Sequence, residues 1–333
     1  MLFFVVCVCF ALFPAQVLWG AQNGLALCIN AVIPSLLPFI FISSCIIKSG
    51  FSKPLGIVFS KILTPLTKIS PIGCVCFVTG ILGGYGAGAK AVCESFKQGQ
   101  ISKEEAQRLL PVCNNAGPLF IIGTIGINFF SDKTVGVILF MIQILTALLC
   151  ASFFGGSAKK QSEKLCDSIK TYKKNKPSLG KLVTEAAGDC ANAIAAVCVF
   201  VITFSALTEI IPFGKYSFLS GIIEITKASA QLSREGYAAL PMISAFIAWG
   251  GLSVHFQANA ITEGCFSMKN YYVVKLISAM ISYAIAKICL GDMNVLLLVC
   301  SVTVATMAFW GIIRNLFSPE PSRQHGFRQQ RHS

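Results

Sequence analysis

A chain of 333 residues that is 55% hydrophobic and only 12% charged carries about half the charge of a soluble globular domain, which excludes a water-soluble fold. Its formal net charge of +13 does not point to nucleic acid. The base is concentrated in one loop (Lys159, Lys160, Lys164, Lys170, Lys173, Lys174, Lys176) and in the tail (Arg314, Arg323, Arg328, Arg331), as the positive-inside rule places it in membrane proteins, with attraction to anionic lipid as a by-product.

A crossing helix needs about 20 apolar residues. Uncharged stretches of that size recur at 24–47, 69–89, 111–131, 134–157 and 294–313. The stretch 190–212 holds one charged residue, Glu209, and 238–262 holds His255 alone as a titratable group. The short alternating strands of a transmembrane barrel are missing. These features define an all-α polytopic membrane protein. Its parts are an N-terminal helix at 1–22, a first membrane repeat at 23–157, a basic cytoplasmic linker at 158–185, a second repeat at 186–315 and a disordered basic tail at 316–333. The fifteen cysteines lie mostly within apolar runs, where cysteine behaves as a small hydrophobe. No Cys-x-x-Cys pair or His/Cys cluster suggests a disulfide framework, a metal or a cofactor.

In chain order, residues 1–20 lack a basic n-region and a clean cleavage site, so a retained first helix is expected. Pro34 and Pro38 predict a kinked packing helix at 24–47. At 53–70, Lys61 and Lys68 stand seven apart on one helical face, which predicts an interfacial helix. The run 79–92 then packs Gly80, Gly83, Gly84, Gly86 and Gly88 into an apolar segment that ends at Lys90. Glycine costs a helix about 1 kcal/mol per residue against alanine, so the run marks a very close helix contact or a break at depth. Ser102 and Glu105 form a capping box that opens a short amphipathic helix. Asn114, Asn115, Gly117 and Pro118 predict a re-entrant hairpin at 113–126, because irregular backbone at depth is tolerated only against protein or a cavity.

The second half repeats the first at a spacing of about 165 residues, far longer than a solenoid period. Gly250 and Gly251 answer Gly83 and Gly84, the segment 216–229 answers 53–70, and Ser267 answers Ser102. The repeats are inverted if 113–126 is re-entrant and parallel if one span is miscounted. Paired broken helices are the sequence signature of a transporter site.

No metalloprotease, hydrolase-elbow, dinucleotide or P-loop motif is present, so no enzyme and no ATP-driven pump is expected. Ser253 and His255, two apart, point to different helix faces. Breaks at Gly83, Gly84 and at Gly250, Gly251 would expose helix N-termini, each with about half a positive charge, to an anionic group. The substrate-binding set read from this is Gly83, Gly84, Tyr85, Gly86 and Lys90, then Asn114, Asn115 and Gly117, then Gly250, Gly251, Ser253, His255 and Gln257. Glu224, a carboxylate among apolar residues, is the candidate for coupling to a proton or cation. Blander roles stand beside these: Lys90 snorkelling, His255 satisfied in a bundle, and Glu224 paired with Lys227.

The motifs Pro-Ser-Leu-Leu-Pro-Phe at 34–39, Gly-Tyr-Gly-Ala-Gly-Ala-Lys at 84–90, Asn-Ala-Gly-Pro-Leu-Phe at 115–120, Gly-Ile-Ile-Glu-Ile-Thr at 221–226 and Gly-Gly-Leu-Ser-Val-His-Phe-Gln at 250–257 resemble, in order, the sporulation integral membrane protein family of the YlbJ/SpoVV type. That family carries a Gate or nucleoside-recognition domain and is similar in architecture to concentrative nucleoside transporters. The resemblance implies a secondary transporter of a small organic anion, dipicolinic acid, moved from the mother cell across the outer forespore membrane. The family's first glycine motif usually has proline where this chain has Gly86, which bears on the geometry of that break. A nucleoside or other solute carrier of related fold, and a membrane scaffold for spore-envelope assembly, are the alternatives.

Overall fold

The structure is a computed structural model that describes residues 2–154, 178–210 and 217–289. The basic run from Lys159 to Lys176, the span expected at 294–313 and the tail at 316–333 lie outside the described residues. All regular structure among the described residues is helical.

Helix α1 (Leu2–Leu12) meets α2 (Pro14–Leu27) at a bend of 106°. Pro14 offers no N–H to the preceding turn, so the single helix expected at 1–22 is two. α2 passes through a π-helical turn, Cys28–Val32, into α3 (Ile33–Lys48). The wide turn falls where Pro34 cannot bond back to Asn30. α4 (Ser52–Thr67) leaves α3 at 105°.

α5 (Pro71–Gly83) and α6 (Ala87–Lys97) fold back on each other as an antiparallel hairpin. Cys76 Sγ lies 3.4 Å from Ser95 Oγ, and a Cβ on Gly88 would stand 2.9 Å from Gly80 Cα. The expected half-helices therefore exist, but the second returns rather than continues. A Cβ on Gly80 or Gly88 would also fall on the Cys113 carbonyl, so these glycines let three backbones meet.

Ser102 Oγ accepts the Glu105 N–H at 3.2 Å and caps α7 (Lys103–Cys113) as expected. The backbone at 114–117 is irregular and leads through Pro118 into α8 (Leu119–Phe129), wound as a π-helix. No hairpin forms inside 113–126. The chain turns back at Phe130–Lys133, where Asp132 accepts the Thr134 N–H at 2.7 Å and the Tyr237 hydroxyl at 3.0 Å. Those bonds hold the Asp132 carboxyl below the usual carboxylate range.

α9 (Lys133–Phe154) and α10 (Leu179–Ile210) follow. α10 begins inside the segment read as linker. Glu224 separates α11 (Ser217–Ile223) from α12 (Ile225–Leu232) with one extended residue, φ −145°, so the helix expected across 216–229 is interrupted. A 3₁₀ stretch, Ser233–Ala239, leads to α13 (Leu240–Trp249), α14 (Gly251–Ile261) and α15 (Lys269–Cys289).

Among the described residues, four segments are long and apolar enough to cross a bilayer: α9, α10, α12 through α14, and α15. The number rises to six if each bent pair is one span. Within the described residues, the spans expected at 134–157, 190–212, 238–262 and 271–290 are thus helical apart from the break at Gly250, whereas 69–89 is a hairpin and 111–131 an interruption followed by a π-helix. Phe4, Leu12, Trp19, Val199, Met280 and Ile288 are each more than half exposed, a surface suited to lipid rather than water.

Gly88→Ala is expected to destabilise the fold by about 1–3 kcal/mol through overpacking on Cys113, read as a lower midpoint of thermal unfolding in detergent. Gly188→Ala on α10, where a Cβ meets nothing within 4 Å, should leave the midpoint unchanged or raise it slightly.

Candidate functional site

Four interruptions of helix meet at one place. The first hairpin turns at Gly84 (φ 88°) and Gly86 (φ 85°), conformations only glycine adopts freely. A Cβ on Gly84 would stand 3.0 Å from Gly117 N, which puts the hairpin tip on the 114–118 interruption. Gly250 (φ 89°) and Gly251 (φ 76°) break α13 from α14. A Cβ on Gly250 would reach Tyr85 Cε1 at 3.4 Å, and one on Gly251 would reach the Ile223 carbonyl at 2.9 Å. The break in the second half thus touches the first hairpin tip on one side and the Glu224 interruption on the other.

Every such interruption frees backbone groups that water cannot reach, and each costs several kcal/mol if left bare. Side chains from neighbouring interruptions supply the partners. Asn114 Oδ1 accepts the Gly86 N–H at 2.9 Å, and its Nδ2 donates to Tyr271 Oη at 2.8 Å. The Asn114 carbonyl would bond residue 118 in a continuous helix, but Pro118 has no N–H. The buried Lys275 ammonium donates to it instead. The Tyr85 hydroxyl donates to the Ile247 carbonyl, Trp249 Nε1 to the Ile222 carbonyl at 3.2 Å, and His255 Nε2–H to the Trp249 carbonyl at 2.9 Å. Glu224 accepts the Thr226 and Lys227 N–H groups at 3.0 and 2.8 Å, capping α12 with a carboxylate.

These elements enclose a cavity of about 620 Å³, within the size range of small-molecule sites. Gly84, Tyr85, Gly117, Glu224, Ser253 and Gln257 line it, six of the residues read from the sequence. Asn30, Phe120, Thr124, Asn128 and Thr226 join them, with Val197 and Val201 forming an apolar wall from α10. Gln257 Nε2 donates to Ser253 Oγ at 3.1 Å. Glu224 and Thr226 also line a smaller cavity of about 250 Å³ next to Lys227 and Glu209, whose ion pair is 2.8 Å long. Among the described lining residues of the larger cavity, Glu224 is the one charged group.

The other expected site residues lie elsewhere. Gly83 packs on Phe39 and Ala87. Gly86, Asn114, Gly250, Gly251 and His255 hold the interruptions together without lining the cavity, and Asn115 bonds the Val112 carbonyl and Gln143. His255 sits among Trp249, Tyr271 and Tyr272. Lys90 does not line the cavity; its Nζ lies 3.6 Å from Glu94 and 3.7 Å from Asp189. Glu224 meets the backbone of Lys227, not its ammonium. Sequence reasoning passed over Lys275 and Tyr271, although a lysine within the apolar run 271–290 is itself a signal of function or of buried pairing. Glu94, which no motif singles out, is 4% exposed.

The chain is similar to the sporulation integral membrane protein YlbJ of Bacillus subtilis (strain 168), 25% identical over 300 aligned residues that cover 78% of this chain and 74% of that protein. The similarity supports the YlbJ-type family for this chain. No protein-family model matches it, and no solved structure matches it at a significant level.

Asn114→Leu keeps the volume but leaves the Gly86 N–H and the Tyr271 hydroxyl without their partner. It is expected to cost about 2–6 kcal/mol, at 1–3 kcal/mol per orphaned group, measured as a fall in the unfolding midpoint in lipid-like detergent. Lys61→Ala, on the exposed side of α4, should fall within about 0.5 kcal/mol of wild type.

Proposed function

We propose that this chain, a YlbJ-type membrane protein by similarity, is a secondary transporter that carries a small planar organic solute through the bilayer. The observation that carries the reading is the convergence of four helix interruptions on one cavity of about 620 Å³, lined by apolar walls and a few polar side chains. Interrupted helices at depth that supply polar groups to a shared cavity are the architecture of secondary carriers. A scaffold has no need of it. The hairpin tips hold to their neighbours through few bonds, among them Gly86 to Asn114 and Tyr85 to Ile247. Movement of a tip would exchange those bonds for bonds to solute or water and open the cavity to one side.

The family resemblance makes the solute an organic anion, dipicolinate, and the sporulation membrane protein YlbJ of Bacillus subtilis gives that solute a setting. The cavity adds a condition. Its one charged lining group among the described residues is the Glu224 carboxylate, already seated on the N-terminal amides of α12, while Lys90 and His255 stand away from it. A dianion in such a space is stable only with its charge neutralised, by protons or by an accompanying cation. A nucleoside, the second reading, meets the Asn30, Asn128, Ser253 and Gln257 lining without that condition.

The test is uptake of labelled dipicolinate and labelled uridine into proteoliposomes, inside acid or inside alkaline. Dipicolinate uptake above empty liposomes, faster when the outside is acid, is the expected outcome. Gln257→Leu should raise KM by about tenfold, the loss of one hydrogen bond of about 1.4 kcal/mol. Uptake of uridine alone selects the second reading, and no uptake of either solute removes the transport reading.

A further inference from the structure

Beyond the cavity, the first hairpin carries a second polar centre on its returning limb. Glu94, about 10 Å along α6 from Ala87 at the helix's 1.5 Å rise, is 4% exposed. Its Oε1 accepts Ser44 Oγ of α3 at 2.9 Å and lies 3.6 Å from Lys90 Nζ. Its Oε2 is buried with no hydrogen-bond partner. From α10, Asp189 reaches both lysines, with Oδ1 3.7 Å from Lys90 Nζ and Oδ2 2.8 Å from Lys48 Nζ. Glu185 stands 3.8 Å from Lys48. Cys45 of α3 and Cys190 of α10 face the same space. On the other sides of α6, Cys76 of α5 meets Ser95, and Glu105 of α7 faces Cys74, Cys76 and Cys113.

Two features mark this as a place for a ligand rather than a closed ion network. The first is the bare Oε2, since a buried carboxylate oxygen with no donor is costly to keep. The second is that Lys90 Nζ stands 3.6 Å from Glu94 and 3.7 Å from Asp189, between the two carboxylates and beyond close hydrogen-bond distance of either. The side chains of Glu185, Asp189 and Glu94 are 49%, 36% and 5% exposed, a graded series from water to the buried acid.

We propose that Glu94 is a proton-binding site, loaded from water through Asp189, and that its occupancy sets how tightly the first hairpin is tied to α3 and α10. Ionised, Glu94 accepts from Ser44 and so fastens α6 to α3, and it holds Lys90 within α6. Protonated, it loosens the tie to α3 and releases Lys90 to Asp189, which tightens the tie to α10. The same three helices reach the cavity, through Leu36 of α3, Val197 and Val201 of α10, and the tip residues Gly84 and Tyr85 that precede α6. The proton's use in moving a solute rests on the transport reading above; the proton site itself does not.

The test has two arms. In the first, reconstituted protein is stepped from alkaline to acid pH, and infrared difference spectra are read for the high-frequency carbonyl band of a carboxylic acid out of contact with water. The band is expected in wild type, lost in Glu94→Gln and kept in Glu224→Gln. A wild type without the band, or a band that survives Glu94→Gln, overturns the site. In the second arm, Glu94→Gln is expected to exchange solute for solute within about twofold of wild type. Its accumulation under a gradient of about one pH unit should fall from about tenfold, the limit for one coupled proton, to none. Accumulation retained in Glu94→Gln overturns the coupling. A wild type that neither exchanges nor accumulates counts against transport alone and leaves the proton site to the spectra.

Discussion

A helix interrupted inside a bilayer frees carbonyl and amide groups that no solvent can satisfy, and the arrangement of this protein follows from meeting that demand. The vacancies are filled by side chains from another interruption, from the same one, or from α15. The Tyr85 hydroxyl at the first hairpin tip serves a carbonyl of α13. Trp249 at the end of α13 serves a carbonyl beside Glu224. Asn114 serves the first tip in return, while Lys275 serves Asn114. The bonds run from one interruption to the next and draw the irregular backbone to one point, beside the cavity. Fold and site are, in this molecule, one set of hydrogen bonds.

The charges divide in a way that bears on function. Of the charged groups described around the interruptions, the carboxylate of Glu224 faces the cavity, whereas Lys275 is spent on a backbone carbonyl and Lys90 on Glu94 and Asp189. The helix N-terminus at Glu224 holds an acid belonging to the protein itself. On the transport reading proposed above, a site of this kind would select by shape and by hydrogen bonding to neutral groups.

Much of this was legible from local chemistry. The glycine runs located two interruptions, Pro118 and the paired asparagines a third, and Ser102 the start of α7, because backbone strain and capping depend on near neighbours. Direction was not legible. Glycines at 83 and 84 announce a break, but whether the chain returns or continues depends on Gly80 and Gly88 meeting Cys113, a contact across the chain. The correspondence drawn between Gly83, Gly84 and Gly250, Gly251 therefore joined a hairpin tip to a break between successive helices. That Lys90 lies near Asp189 as well as Glu94 was not legible, because Asp189 is on a different helix, far along the chain. The interruption at Glu224 has no glycine or proline in it. A carboxylate in apolar surroundings was its one sign, and that sign was read as chemistry rather than as a cap.

The π-helical turn at Cys28–Val32 has a geometric consequence for everything beyond it. Gly20, Gly24 and Cys28 before the turn, and Leu36, Ile40 and Ser44 after it, are all buried and spaced by fours. On a regular helix of 3.6 residues per turn, a stripe of fours winds round the rod by about 40° at each step. The wider winding takes back part of that precession, so one rod keeps its contact stripe on a single side from α2 to the end of α3. Restoring ordinary winding there at unchanged length would rotate Ser44 out of line with Glu94, severing the buried acid from its neighbour without touching either side chain.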